Sequence, residues 1–95
     1  MKLTLMNTIE VLLKNGSITV KENKLGTKRQ IKVCKPNPLI RGTTSTAGHI
    51  DQKTLSTLLN TAYIKLIPGT KQDKYGNTYW YYESNIQQIN ESPRD

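Results

Sequence analysis

Residues 51–67 read DQKTLSTLLNTAYIKLI, and along this stretch the hydrophobic period changes from that of a helix to that of a strand. Its first half repeats apolar residues at helical spacing, namely Leu55, Leu58, Leu59 and Ala62. Asp51 or Thr54 can cap such a helix, because a short polar side chain accepts a hydrogen bond from a free backbone N–H. Its second half alternates, with Ile64 and Leu66 on one side, before a Pro-Gly pair breaks the pattern. The stretch predicts a core-facing helix followed at once by a β-strand.

A second helical pattern lies near the start of the chain, in residues 5–13. Its apolar residues form one stripe, namely Leu5, Met6, Ile9, Leu12 and Leu13. Gly16 follows where a helix C-cap is expected. An alternative interpretation forms a β-hairpin around Asn15 and Gly16, with residues 17–22 as its second strand, but it leaves Leu12 on the polar face. The sequence therefore favours a helix over residues 5–13.

The two helical patterns resemble each other, because residues 8–18 align with residues 54–64 at an offset of 46. Each unit predicts a helix and then a strand, and a further strand follows at 30–35 in the first unit and at 78–83 in the second. Two copies are too few to establish a duplication, and chance similarity between two leucine-bearing helices is the alternative.

These elements predict an α+β fold, a small single domain with two helices, a small antiparallel sheet and a C-terminal β-hairpin. Ninety-five residues are enough for one hydrophobic core and too few for two. We expect the domain to cover residues 1–83, with the tip of the hairpin at 71–77. Residues 35–50 show almost no periodicity and predict a long loop that is mobile or functional. Residues 84–95 are polar and predict a flexible tail with one weak turn of helix at its start, which Ile86 and Ile89 would anchor.

The charge of the chain is concentrated in its first half. The formal net charge is +7. Residues 1–53 hold ten Lys and Arg against three acidic residues, whereas residues 54–95 hold four of each sign. Within the first half, residues 21–41 carry seven positive charges and one negative charge. A surface of this kind attracts polyanions, and nucleic acid is the polyanion we favour.

Four consecutive aromatic residues follow in the last predicted strand, from Tyr79 to Tyr82. Because side chains alternate between the two faces of a strand, Tyr79 and Tyr81 lie on one face and Trp80 and Tyr82 on the other. The chain contains no Phe, so its aromatic core volume has to come from this strand. We expect Trp80 and Tyr82 in the core, with Tyr79 and Tyr81 as candidates for stacking on nucleic-acid bases.

The residue inventory argues against an enzyme, a metal site and a cofactor site. The single His49 and the single Cys34 lie far apart in the sequence, without a nearby group of acids or glycines. An unpaired cysteine is typical of a reducing compartment, and no signal peptide is evident, so we expect a cytoplasmic protein. No apolar run approaches the ~18 residues of a membrane span, and we expect no membrane partner.

Two stretches resemble the winged helix-turn-helix DNA-binding domains. Residues 11–19, VLLKNGSIT, look like the end of a first helix and the short strand after it, and residues 50–59, IDQKTLSTLL, look like a recognition helix. Residues 63–67 and 75–83 then correspond to the wing. The middle helix of the family would fall in residues 23–49, where this sequence has a strand-like stretch instead. The resemblance implies that the exposed front of the second helix faces the major groove, through Gln52, Lys53, Ser56 and Thr57.

Together these patterns predict a small basic nucleic-acid-binding protein with a regulatory or accessory role, with duplex DNA favoured over RNA. The alternative is a protein-interaction module that docks its basic face on an acidic partner or within a nucleoprotein complex. The residues expected to contact nucleic acid are Lys21, Lys24, Lys28, Arg29, Lys32, Lys35, Arg41, Gln52, Lys53, Ser56, Thr57, Lys71, Lys74 and Tyr79.

Overall fold

A computed structural model describes residues 2–37, 39 and 43–91 of the chain. These residues form three helices, α1 (Leu5–Leu13), α2 (Gln52–Asn60) and α3 (Ile86–Glu91). They also form six strands, β1 (Ser17–Glu22), β2 (Arg29–Pro36), β3 (Thr44–His49), β4 (Ile64–Leu66), β5 (Lys71–Gln72) and β6 (Thr78–Ser84). The predicted α+β class is confirmed, with one helix more than the sequence indicated.

The first helix forms where its apolar stripe predicts it, and the alternative hairpin of residues 8–22 is wrong. Thr4 is the N-cap, and its Oγ1 accepts a hydrogen bond from the Asn7 N–H at 3.1 Å. The chain leaves the helix through Asn15, which has a positive φ of 66°. Gly16 then donates its N–H to the Val11 carbonyl at 3.0 Å, which closes the last turn.

The strands form one antiparallel sheet in the order β3-β2-β1-β6-β4, and β5 also pairs with β6. The central pair joins the two halves of the chain, because β1 from the first half lies beside β6 from the second. The predicted C-terminal hairpin is present, since β4 and β5 both pair with β6 across the turn that begins at Asp73.

The three helices cover one face of this sheet. Buried side chains from all three helices and from strands β1, β2 and β4 meet in a single core, whose largest fully buried residues are Leu12, Ile18, Leu55, Leu58, Ile89 and Val33. Because strand side chains alternate, placing Ile18 and Val33 in the core directs their neighbours along the strands to the opposite face. Trp80 and Tyr82 pack against this core, as predicted.

The connection between residues 35 and 50 differs from the predicted loop, because residues 44–49 form strand β3 on the outside of β2. Its register shifts between Val33 and Cys34, which marks a β-bulge. Threonines and a serine give the segment strand propensity without any apolar periodicity, so pattern reading could not detect it. Residues 38 and 40–42 lie outside the described part of the chain.

The end of the second helical stretch also differs from expectation. The helix ends at Asn60, and Ala62 lies beyond it, exposed and with a positive φ of 60°. Leu59 is 41% exposed and Leu66 is 54% exposed. The core residues of this unit are therefore Leu55, Leu58, Tyr63 and Ile64, and Tyr63 is buried although the alternation placed it on the side opposite Ile64.

Beyond β6, the segment predicted as a tail continues into α3, and Ile89 of this helix is fully buried. Residues 92–95 lie outside the described part of the chain. None of the helices within residues 2–37, 39 and 43–91 is long and apolar enough to cross a membrane.

Candidate nucleic-acid interface

The sheet face opposite the helices carries most of the basic and aromatic side chains of the strands, and we call it the open face. Strand alternation and register place on it Ser17, Thr19, Lys21, Gln30, Lys32, Lys65, Lys71, Tyr79, Tyr81 and Glu83. Within the described ranges, the three helices all pack on the other side. The open face is thus a continuous surface to which all six strands contribute, because the register also places His49 of β3 beside Lys32.

The register aligns these side chains in rows that run across the sheet. One row joins Gln30, Lys21, Tyr79 and Lys71, because each is the direct partner of the next. The next row joins His49, Lys32, Thr19 and Tyr81. A third row ends with Glu83 and Lys65. Neighbouring strands lie ~4.8 Å apart, so groups in one row are close enough to contact the same ligand.

The open face is strongly positive, because four lysines stand against one carboxylate. Lys21 and Lys32 come from the basic first half of the chain, and Lys65 and Lys71 come from the second half. Glu83 lies directly opposite Lys65 in the register, a placement that favours attraction between the two charges. The other three lysines have no acidic residue as their direct cross-strand partner.

Two of these lysines lie over the rings of the two tyrosines. Lys21 Nζ is 5.9 Å from the centroid of the Tyr79 ring, and Lys71 Nζ is 5.9 Å from that of Tyr81. An exposed cation–π contact contributes roughly 0.5–1 kcal/mol, whereas a base stacked on an aromatic ring contributes roughly 1–3 kcal/mol. A base can therefore displace the ammonium group from the ring, which leaves that group free to contact a phosphate.

The turn between β5 and β6 orients Tyr79 through Asp73. The Asp73 carboxylate accepts hydrogen bonds from the backbone N–H of Tyr75 and of Asn77, each at 2.9 Å, from the Asn77 side chain at 2.9 Å and from the Tyr79 hydroxyl at 3.1 Å. These donors, with the Asn77 side chain as the largest contributor, hold the pKa of Asp73 below its ordinary value. Asp73 thus remains ionised, and it fixes one edge of the Tyr79 ring.

The turn between β1 and β2 brings further cations to the same end of the sheet. Asn23 Oδ1 accepts hydrogen bonds from the Thr27 N–H at 2.9 Å and from the Lys28 N–H at 3.1 Å, and this closes the turn. Lys24 and Lys28 are exposed there, and the aliphatic chain of Lys24 lies against Gly76 of the neighbouring turn. A groove between the two turns is lined by Lys21, Asn23, Thr27, Lys28, Arg29, Gln30 and Asn77.

Arg29 belongs to the same basic stretch, but the structure engages it on the helix side of the sheet. Its guanidinium pairs with Glu22 Oε2 at 2.7 Å, donates to Gln52 Oε1 at 2.9 Å and lies 5.7 Å from the centroid of the Trp80 ring. The register explains this, because Arg29 is the direct partner of Glu22, and Glu22 follows the core-facing Ile18 and Val20 at a spacing of two.

Six further predicted contact residues lie apart from the open face. Gln52, Lys53, Ser56 and Thr57 are on α2, which packs on the helix side, and the Gln52 amide lies 3.4 Å from Ser56 Oγ. Lys35 lines a hollow beside α1 together with Glu10 and Lys14. Lys74 is in the β5–β6 turn, with its Nζ 5.1 Å from the centroid of the Tyr75 ring. Arg41 lies outside the described residues.

Sequence reasoning did not assign Lys65 and His49 to this surface. Both residues are contributed by short edge strands, β4 and β3, and their positions depend on pairing with β6 and β2. The alternation of residues 64–66 places Lys65 on the face of the sheet opposite to that of Ile64. This alternation was the one local signal that Lys65 belongs to the open face. For His49 the sequence offered no such signal, because β3 lacks apolar alternation.

No group of histidine, cysteine, aspartate and glutamate in the described ranges could hold a metal ion. Comparison with models of protein families, with curated proteins and with solved structures finds no match for this chain.

Proposed function

We propose that the protein binds nucleic acid through the open face, in a regulatory or accessory role. One observation carries the proposal: Lys21, Lys32 and Lys71 surround Tyr79 and Tyr81 on a sheet face that the helices leave uncovered. Lysines supply the phosphate contacts that dominate affinity for nucleic acid, and aromatic rings supply contacts to bases. The exposed Lys24 and Lys28 extend the positive surface at one end of the sheet.

The preference for duplex DNA that the sequence suggested remains a prediction, as does the resemblance to winged helix domains. The unpaired Cys34 supports a cytoplasmic location, because thiols persist in reducing compartments. The chain's own groups provide binding and positioning, and we propose no catalytic step.

A salt titration of binding tests the proposal. Labelled DNA and RNA oligonucleotides are titrated with the protein at several salt concentrations, and the logarithm of the binding constant is plotted against the logarithm of the salt concentration. Replacing Lys21 and Lys32 together by Gln should weaken binding and reduce the slope by roughly 1.4–1.8, since each lost phosphate contact removes roughly 0.7–0.9. The matched control replaces two exposed lysines outside the predicted contact residues, Lys2 and Lys14, by Gln and should leave the slope almost unchanged.

The control also separates a specific surface from a general effect of net charge, because both variants lose two positive charges. Equal loss of slope in the two variants would contradict the assignment to the open face. Absence of binding to every DNA and RNA form would contradict the proposed function and favour the alternative, docking on an acidic protein.

A further inference from the structure

We infer that the open face takes single-stranded nucleic acid, with successive bases stacked on Tyr79 and Tyr81 and with phosphates held by the flanking lysines. This inference rests on the proposed function and specifies the form of the ligand. It starts from the position of the two tyrosines, which are two residues apart on β6 and therefore point to the same face.

The spacing of the two rings suits adjacent nucleotides. Residues two apart on an antiparallel strand are separated by roughly 6.8 Å, so each ring is available to its own base. The neighbouring strands place cations on both sides of this aromatic row, with Lys21 and Lys32 on β1 and β2, and Lys71 and Lys65 on β5 and β4. A backbone that follows β6 therefore finds a lysine beside each stacked base.

The shape of the open face disfavours a duplex as the ligand. Five adjacent strands span about 19 Å, whereas the major groove of B-DNA is about 12 Å wide and admits a two-stranded ribbon. In a duplex the faces of the bases are also covered by their neighbours, so tyrosines that lie on a sheet reach only the backbone. In a single strand every base has a free face, and a sheet that carries aromatic residues can use it.

Two polar residues beside the lysines, Thr19 and Gln30, are suited to contacts that do not depend on the base sequence of the nucleic acid. Thr19 lies between Lys32 and Tyr81 in one row, and Gln30 lies beside Lys21 in the next. Both side chains can donate and accept hydrogen bonds. The arrangement favours stacking and phosphate contacts, which every nucleotide offers, over recognition of a particular base.

The test compares a single strand of about ten nucleotides, as oligo(dT) and as oligo(U), with a hairpin duplex of similar length, at one salt concentration. We expect the full chain to bind the single strands about tenfold or more tightly than the duplex. Tyr81→Leu and Tyr79→Leu should each weaken single-strand binding by about five- to 150-fold and leave the salt slope unchanged, because each removes a stack and keeps every cation.

Two kinds of control variant test whether the loss of affinity comes from the loss of the stacking rings. Tyr79→Phe and Tyr81→Phe keep the ring and should retain most of the affinity. Tyr75→Leu removes a tyrosine that is 70% exposed and also lies beneath a lysine, but Tyr75 is in the β5–β6 turn and not in the row of rings on β6, so this variant should lose much less affinity than Tyr79→Leu or Tyr81→Leu. Circular dichroism and thermal melting identify any variant that fails to fold, and the comparison of single strand with duplex on the wild-type chain then decides the outcome.

The results distinguish this inference from the proposed function. Duplex binding as tight as single-strand binding, or unchanged affinity in both Leu variants, would overturn the inference. If the Lys21 and Lys32 double variant still lowered the salt slope, the proposed function would stand with a duplex ligand. If the wild-type protein bound neither the single strands nor the duplex, both the inference and the proposed function would be overturned. The arms with oligo(dT) and oligo(U) show whether the open face takes DNA and RNA single strands alike, as stacking and phosphate contacts predict.

Discussion

Asn15 and Gly16 have different roles at the end of the first helix. Asn15 adopts the left-handed conformation, with a φ of 66°, which asparagine tolerates better than most residues. Gly16 is buried, and a Cβ built on it would lie 2.6 Å from both Cγ1 and the carbonyl oxygen of Val11. The same Cβ would lie 2.9 Å from the Cys34 carbonyl oxygen. The prediction that Gly16 is the C-cap is wrong, because Lys14 is the C-cap and Asn15 is the left-handed residue after it. Close approach of the backbones is the reason for a glycine at position 16.

These roles predict that substitutions at positions 15 and 16 have different effects on the stability of the protein. Gly16→Ala should destabilise the protein by roughly 1–3 kcal/mol, because two of the three crowding atoms are backbone oxygens that cannot rotate away. Asn15→Gly should leave the stability unchanged or raise it slightly, because glycine has no Cβ to strain at positive φ. Urea denaturation of both variants measures this. A neutral Gly16→Ala variant would contradict the packing between α1 and β2.

Asp51 begins the second helix and has a strongly perturbed acidity. Its Oδ1 accepts a hydrogen bond from the Thr54 N–H at 2.9 Å, and its Oδ2 lies 3.2 Å from Lys2 Nζ. The hydrogen bonds from Thr54 are the main cause, followed by the contact with Lys2, of the lowering of the pKa of Asp51 from 3.8 to about 2. The folded state therefore favours the ionised carboxyl.

The direction of this shift determines how stability depends on pH. A group whose pKa is lowered by folding stabilises the protein above its unfolded pKa, and that contribution disappears as the pH falls through its folded pKa. We expect Asp51 to stabilise the fold fully above about pH 4 and to lose this effect between about pH 4 and 2. Asp51→Asn keeps an acceptor for Thr54 and removes the charge, so its stability deficit should shrink across this range.

Urea denaturation at a series of acidic pH values follows that deficit. The pKa of Asp73 is also lowered in the folded protein, so the wild type and Asp51→Asn share its acid sensitivity and the difference between them isolates Asp51. A deficit that stayed constant from neutral pH to pH 2 would show that the charge of Asp51 does not contribute.

At the level of elements, β6 serves both the core and the open face. Trp80 and Tyr82 pack against the buried cluster, and Tyr79 and Tyr81 point away from it. This strand has three neighbours, β1, β4 and β5, which makes it the best supported strand of the sheet. Residues held this firmly suit a binding surface, because little conformational entropy is lost when a ligand orders them.

The short helix α3 is joined to the domain by hydrogen bonds as well as by packing. Asn85, which precedes it, donates its backbone N–H to the Tyr63 carbonyl and its side-chain amide to the Ala62 carbonyl, each at 2.9 Å. Ile89 is fully buried in the core that also holds Leu12 of α1. The helix therefore closes one side of a core with few apolar residues.

Removing the Ile89 side chain should consequently destabilise the whole domain. Ile89→Ala is expected to cost roughly 2–5 kcal/mol, the range for a large aliphatic residue cut back in a core. Asn90→Ala, on the exposed side of the same helix, is the control and should change the stability by less than about 0.5 kcal/mol. Thermal melting compares the two variants. Equal, small effects would mean that α3 separates from the core without unfolding it.

Over the whole molecule, the two similar units lie side by side in one sheet. Strands β1 and β4 run in the same direction because each is antiparallel to β6, and β2 and β6 do so because each is antiparallel to β1. The core residues of the units correspond at the predicted offset of 46, as the buried pairs Ile9 and Leu55, Leu12 and Leu58, and Ile18 and Ile64 show. The units thus place their helices together on one face and share the other face.

Local patterns in the sequence were sufficient for the two longer helices, the excess of basic residues and the alternation of the four aromatic residues. Each depends on residues close together in the chain: an apolar stripe over 5–13 or 51–60, a charge count, and a period of two across 79–82. Such features do not depend on how the rest of the chain folds, because caps, side-chain periodicity and charge are properties of a single segment.

Only the tertiary structure decided which cations share a surface. Lys21, Lys32 and Lys71 meet at the open face because β1 pairs with both β2 and β6, and β6 with β5, in a given register. If the pairing register of β2 shifted by one residue, every side chain of the strand would turn to the other face. Lys32 would then face the core, and Arg29 would lie on the open face. Pairing between residues 17–22 and 78–83 joins segments about sixty positions apart, and burial of the apolar side chains on the helix side selects that register.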